Sequence, residues 1–207
     1  VAYAKENVIK TWSEISHHEK GPINLWQYGS AMLYFKNRSY YLTNYHSDWA
    51  REGQPTTQQL QAGKKVIDTK LGSRAAMQME PFFELGFDQP PHEQQGHVLL
   101  GTIGWTGNFR CTFEVDNVGV LRVIPGINPY AANYRLIPGQ TSRTPDFIFT
   151  MSEQGTGIAS RQLHNWARHY QLKDGLGPRL TLLNNWESTG FNFNQNSLSA
   201  LMKDAKS

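Results

Sequence analysis

The sequence predicts a mainly β chain that closes with a short α/β segment. Three observations carry this reading. Through residue 151, short runs of β-branched, aromatic and aliphatic residues follow one another, each stopped by Gly, Pro, Asn or Asp, with no helical period between them. Around 152–157 the composition changes, and Ala159, Leu163, Trp166, Ala167 and Tyr170 then recur at the spacing of one helix face. Finally, Leu180-Thr181-Leu182-Leu183, closed by Asn184-Asn185, is the continuous apolar run of a strand buried on both faces.

Taken in order, β-type residues occupy 1–12 and 13–16 and end at the polar turn His17-His18-Glu19-Lys20-Gly21-Pro22. Strand candidates follow at 23–27, 31–35 and 40–45, bounded by Gly29, Asn37 and Ser47, at the spacing of an antiparallel sandwich. The Gln- and Thr-rich run 54–61 reads as a loop or a sheet edge. Shorter candidates at 66–71, 75–79 and 82–85 are interrupted by Gly72-Ser73 and Glu80-Pro81, and a Pro-, Gln- and His-rich loop spans 87–97. Three strands at 98–105, 109–115 and 121–127 turn at Thr106-Gly107-Asn108 and at Asp116-Asn117-Val118-Gly119, the last a hairpin connection. Candidates at 132–137 and 146–151, separated by Pro138-Gly139, complete the all-β part. The helix stops near Gly175-Leu176-Gly177-Pro178 and reads as a connector. After the strand at 180–184 and a loop with Gly190, Asn194 is a candidate N-cap for a helix whose packed face carries Leu198, Leu201, Met202 and Ala205. One strand and one helix cannot complete a parallel sheet, so a second domain is expected only to begin here.

Composition narrows the function classes. The chain has 207 residues, 39% hydrophobic and 12% aromatic, enough for a sizeable core. Its 20 basic and 17 acidic residues are dispersed and leave a net charge of +3, which gives no footprint for nucleic acid. Cys111 is the only cysteine, so there is no internal disulfide and no thiolate metal site. No apolar run approaches the roughly 20 residues that span a bilayer, and no membrane partner is expected. The chain opens on Val1 without a signal pattern, and localisation is not readable. His17 and His18 point to opposite faces if extended and cannot chelate together, so no metal or cofactor is expected. Asn37-Arg38-Ser39 fits a glycosylation sequon, a pattern that arises often by chance. His164 and Arg168 share an i, i+4 face, but Arg is no metal ligand.

The loop His46-Ser47-Asp48-Trp49-Ala50-Arg51-Glu52-Gly53 sets polar groups around one large aromatic. Trp49 either plugs the edge of a core or offers a flat apolar face to a ligand.

A family resemblance becomes specific at Leu183-Asn184-Asn185-Trp186-Glu187-Ser188 and Phe191-Asn192-Phe193, which are similar to the family pattern LNNWEATYFDF. Ser30-Ala31, Trp49-Ala50-Arg51-Glu52, Gly104-Trp105-Thr106-Gly107-Asn108-Phe109, Gly126-Ile127-Asn128-Pro129 and Leu136-Ile137-Pro138-Gly139-Gln140 with Thr144-Pro145 recur in the same order. Over nearly its whole length the chain resembles the α-galactosidases (melibiases) of glycoside hydrolase family 36. Gly190 stands where the family usually has an aromatic, and Asn192 where it has Asp.

The resemblance implies a β-supersandwich of the galactose-mutarotase type over 1–155, a helical linker over 156–178 and the first strand and helix of a (β/α)8 catalytic barrel over 179–207. It implies a parent enzyme that hydrolyses terminal α-D-galactosyl groups of melibiose- and raffinose-type sugars with retention, often as a tetramer. Trp49 matches a residue that lines the galactose pocket. Trp186 and Glu187 fall at the C-terminal end of the first barrel strand, where such barrels carry their sites. There Trp186 is a stacking platform for sugar, and Glu187 either bonds a hydroxyl or anchors the loop. Retention requires two carboxyls about 5 Å apart. The family takes them from a Lys-Trp-Asp motif and from a Ser-Gly-Gly segment followed by Arg and Asp, and this sequence contains neither. No catalytic residue is therefore assigned, and the isolated chain is expected to be inactive. The competing reading is a non-catalytic carbohydrate-binding or oligomerisation sandwich.

Overall fold

The computed structural model describes residues 1–72 and 78–206, so the strand candidate at 75–79 lies largely outside the described residues. The elements are β1 (Ala2–Tyr3), β2 (Val8–Thr11), β3 (Glu14–Ser16), β4 (Ile23–Leu25), β5 (Leu33–Lys36), β6 (Tyr40–Ser47), β7 (Gln54–Gln59), β8 (Gly63–Asp68), β9 (Gln78–Phe87), β10 (His97–Gly104), β11 (Phe109–Val115), β12 (Val120–Ile127), β13 (Tyr134–Leu136), β14 (Thr141–Arg143) and β15 (Asp146–Ser152), then α1 (Thr156–Tyr170), α2 (Trp186–Thr189) and α3 (Gln195–Asp204). They form two compact units, Val1–Leu172 and Lys173–Ser207.

The first unit is an antiparallel sandwich. A seven-stranded sheet in the order β1-β2-β15-β10-β9-β6-β7 shares its core with a four-stranded sheet in the order β5-β12-β11-β8. Strict alternation in β11 buries Phe109, Cys111, Phe113 and Val115. The larger sheet answers with Leu42, Phe83, Leu85, Leu99 and Phe147 in the same cluster. Phe83 meets Phe113 edge-on with centroids 4.8 Å apart, and full burial of each such ring contributes about 1.5–3 kcal/mol. Burial pushes the Cys111 thiol up to about 12, so it behaves as a small apolar residue.

The central strands of the larger sheet are apolar on both faces because α1 covers the outer one. Val8, Ile148 and Trp166 form one cluster there, and Val98, Leu100 and Ala159 another, with Leu163 touching both. Tyr170 is half exposed, yet its ring lies 4.6 Å from that of Tyr3. The helix expected as a connector is thus packed on the sandwich and belongs to the first unit.

Several strand boundaries differ from the sequence reading. Pro81, read as a break, sits inside β9, where the pairing to β6 shifts register between Asn44 and His46. A bulge needs no N–H from the extra residue. The polar run after residue 53 is β7, the edge strand of the larger sheet.

The second unit does not form the strand expected at 180–184. Among its described residues there is no strand, and Leu180 and Leu182 are 92% and 86% exposed. A parallel strand takes its hydrogen bonds from neighbours, and no other segment of this unit is extended beside it. The helix beyond is as expected: the Asn194 side chain accepts from the backbone of Asn196 and Ser197, and the Ser197 hydroxyl accepts from the Asn194 N–H, a capping box for α3. Gly190 ends α2 at φ +53 and ψ −128. Only glycine adopts that conformation without strain, so an aromatic at this position requires a different turn.

Candidate functional site

In the first unit, Trp49 stands at the tip of the β6–β7 hairpin. The turn is closed by Arg51 N–H donating to Asp48 O at 2.9 Å, with Ala50 at φ +58. Asp48 Oδ1 accepts from Trp49 N–H at 2.7 Å, which fixes the backbone from which the indole projects. The base of the loop is fastened to β9. Ser47 Oγ donates to Glu80 Oε1 at 2.8 Å and accepts from Gly53 N–H at 3.1 Å. Next along the sheet, Tyr45 Oη donates to Glu84 Oε1 at 2.6 Å. Partial burial, reinforced by the Glu84 carboxylate, raises the Tyr45 phenol well above its ordinary value, so it stays protonated and keeps donating.

The Trp49 indole is 80% exposed. It does not plug the core of its own sandwich. Asp48, Arg51 and Glu52 are exposed around it, and His46 Nε2 lies 3.0 Å from Asn44 Nδ2. The loop thus exposes one aromatic ring among hydrogen-bonding side chains. Among the described residues, no three His, Cys, Asp or Glu side chains come together as a metal site.

In the second unit, Trp186 and Glu187 open the single-turn helix α2, where a strand end was expected. Asn184 Oδ1 accepts from Trp186 N–H at 3.1 Å, an Asx turn, and Asn185 Nδ2 donates to Thr189 Oγ1 at 2.9 Å, which ties the start of the short helix to its end without a side-chain cap. The Trp186 ring meets Phe191 edge-on, centroids 4.7 Å apart, and keeps about half its surface exposed. Glu187 is exposed beside it. The sequence reading gave no site role to Trp26, Tyr28, Trp105 and Tyr134, which together line one cavity of the first unit. The Trp26-Gln27-Tyr28 run, aromatic on either side of an amide, was the available signal.

The profile of the glycosyl hydrolase family 36 N-terminal domain matches residues 1–137, and the Melibiase profile matches residues 141–207. The chain belongs to glycosyl hydrolase family 36. Alpha-galactosidase 2 of Hypocrea jecorina is 27% identical over 98% of the chain and 27% of its own length. A crystal structure of the alpha-galactosidase from Lactobacillus brevis superposes with a TM-score of 0.89 at 27% identity, over 99% of this chain and 28% of that one. The alpha-galactosidase AgaA of Geobacillus stearothermophilus, as a variant in complex with stachyose, gives a TM-score of 0.88 at 28% identity over 97% and 28% of the two chains. Another variant of it has been solved with raffinose. The chain therefore spans little more than a quarter of the length of the curated relatives it matches.

Proposed function

We propose that these residues are the sandwich and the first barrel segment of a retaining α-galactosidase that removes terminal α-D-galactosyl groups from melibiose- and raffinose-type sugars. The observation that carries this is the alignment of nearly the entire chain, sandwich and Trp186 segment together, with enzymes named alpha-galactosidases. Raffinose and stachyose in the complexes of AgaA support the substrate class. In this reading the domains run 1–155, 156–178 and 179–207. Residues 180–184 become the first barrel strand once neighbouring strands supply its hydrogen bonds.

Trp49 contributes a stacking face to the galactose pocket, consistent with its exposure at a braced hairpin tip. Trp186 forms part of the barrel wall, and Glu187 bonds a sugar hydroxyl or holds the loop. The two reacting carboxylates come from barrel segments that this sequence does not contain, so the 207-residue chain supplies binding surface and no turnover. The test compares α- and β-linked nitrophenyl galactosides on this chain and on the longer product of its reading frame. Cleavage of the α-linked substrate alone, by the longer protein alone, is expected. Measurable turnover by the purified 207-residue chain, or none by the longer protein, overturns the reading.

A further inference from the structure

The aromatic residues that this reading leaves unused collect at one place on the first unit. Three cavities of about 410, 360 and 440 Å³ adjoin there, and Tyr28 and Ile127 line all of them. Each lies in the size range of small-molecule pockets, about 300–1,000 Å³. Their floor is built by close approach of backbones. A Cβ on Gly126 would stand 2.8 Å from Tyr28 O, and one on Gly29 would stand 2.9 Å from Ile124 Cγ2. The segment before β5 therefore lies directly on β12, pinned by Ser30 N–H donating to Pro125 O at 2.8 Å.

The facing wall is the loop after β12. Buried Asn128 donates through Nδ2 to Asp68 Oδ2 and Thr69 O, both at 3.1 Å, and accepts from Tyr130 N–H at 3.0 Å. Pairing of Tyr134 with Leu25 closes the middle of the groove. Trp26, 67% exposed, and Tyr134, 44% exposed, present ring surface there alongside Tyr28 and Trp105.

The ends decide what such a groove accepts. Arg110 at one end faces Asp68 at 3.9 Å, and Arg143 at the other is paired with Asp146. Each guanidinium has a carboxylate beside it, although Arg110 Nε makes no hydrogen bond, so neither end presents an unopposed positive charge. Gln27, Thr112 and Asn133 add uncharged donors and acceptors. Ring faces for the C–H side of a pyranose, uncharged polar groups for its hydroxyls and several adjoining cavities fit a chain of neutral sugar rings.

We propose that this groove is an oligosaccharide-binding site for neutral galacto-oligosaccharides of several rings, separate from Trp49, which does not line it. The choice of galactosides rests on the α-galactosidase reading; the sugar class itself rests on the lining.

The test titrates the 207-residue chain with stachyose and with raffinose by calorimetry. Stachyose is expected to bind more tightly. Trp26→Ala and Tyr134→Ala should each weaken it about three- to tenfold, the loss of one aromatic contact, while Val118→Ala in the β11–β12 turn leaves it unchanged. Thermal melting of each variant separates lost binding from lost folding, and the exposure of Trp26 makes its removal the safer of the two. No binding at millimolar stachyose, affinity untouched in both aromatic variants, or self-association abolished by Trp26→Ala without any sugar binding overturns the proposal. These outcomes are independent of turnover by the longer protein, so the groove and the enzymatic reading fail separately.

Discussion

Gly101 shows how narrowly single residues are specified in this sandwich. It lies in β10 at the crowded centre of the core, where a Cβ would stand 2.6 Å from Phe83 Cζ and 3.1 Å from Phe147 Cε2. We expect Gly101→Ala to destabilise by about 1–3 kcal/mol, read as a lower urea midpoint at unchanged slope. Asp88 controls a different property. Its carboxylate accepts the backbone N–H groups of Arg38 and Ser39 and the Asn37 amide, and these bonds, that from Ser39 foremost, hold it below the usual carboxylate range. Its contribution is present in full above the unfolded carboxylate value, near 4, and is lost as the pH falls through the depressed folded value. Asp88→Asn should flatten the acid limb of the urea midpoint plotted against pH; an unchanged limb would assign acid sensitivity to other carboxylates.

At the scale of elements, α1 makes the larger sheet a buried layer. Trp166 is 5% exposed and packs with Val8, Ile148, Tyr3 and Leu163. Trp166→Ala should cost about 3–5 kcal/mol; a melting temperature within a degree or two of the parent would show that the helix is only draped over the sheet. The helix was legible because its apolar positions repeat at a single spacing, and β11 and β12 because they alternate around a turn of Asp and Gly. What the sequence hid has physical reasons. Apart from Pro55, Gln54–Gln59 carries no apolar side chain because an edge strand needs none on its exposed faces. Pro81 looked like a terminator, and the register shift against β6 that accommodates it shows only once the two strands are paired. The run 180–184 has strand composition without strand structure, since composition states what a segment can bury and not whether neighbours are present. The exposure of Trp49 was equally illegible: a tryptophan in a hairpin loop has the same letters whether it turns in or out.

For the molecule as a whole, the profile boundary near residue 137 and the structural boundary after Leu172 disagree, and the topology explains why. β15, which begins at Asp146, lies between β2 and β10 inside the larger sheet, and α1 covers that sheet. Residues 1–172 expressed alone should fold with one cooperative transition, whereas residues 1–137, missing an interior strand and the covering helix, should be insoluble or melt without cooperativity. Calorimetry of the two proteins decides it; cooperative folding of the shorter one would make β15 dispensable.

The place of β15 also sets a clock. Asn7 O accepts from Thr150 Oγ1, 143 residues further along the chain, and β15 is the one strand joining β1 and β2 to the rest of their sheet. At about 5–20 residues per second of synthesis, β1 and β2 wait roughly 7–30 s before β15 follows. During that interval β15 and α1, against which β2 packs in the folded sandwich, do not yet exist, which makes Ala2–Thr11 a segment whose protection a cell must arrange in time as well as in space.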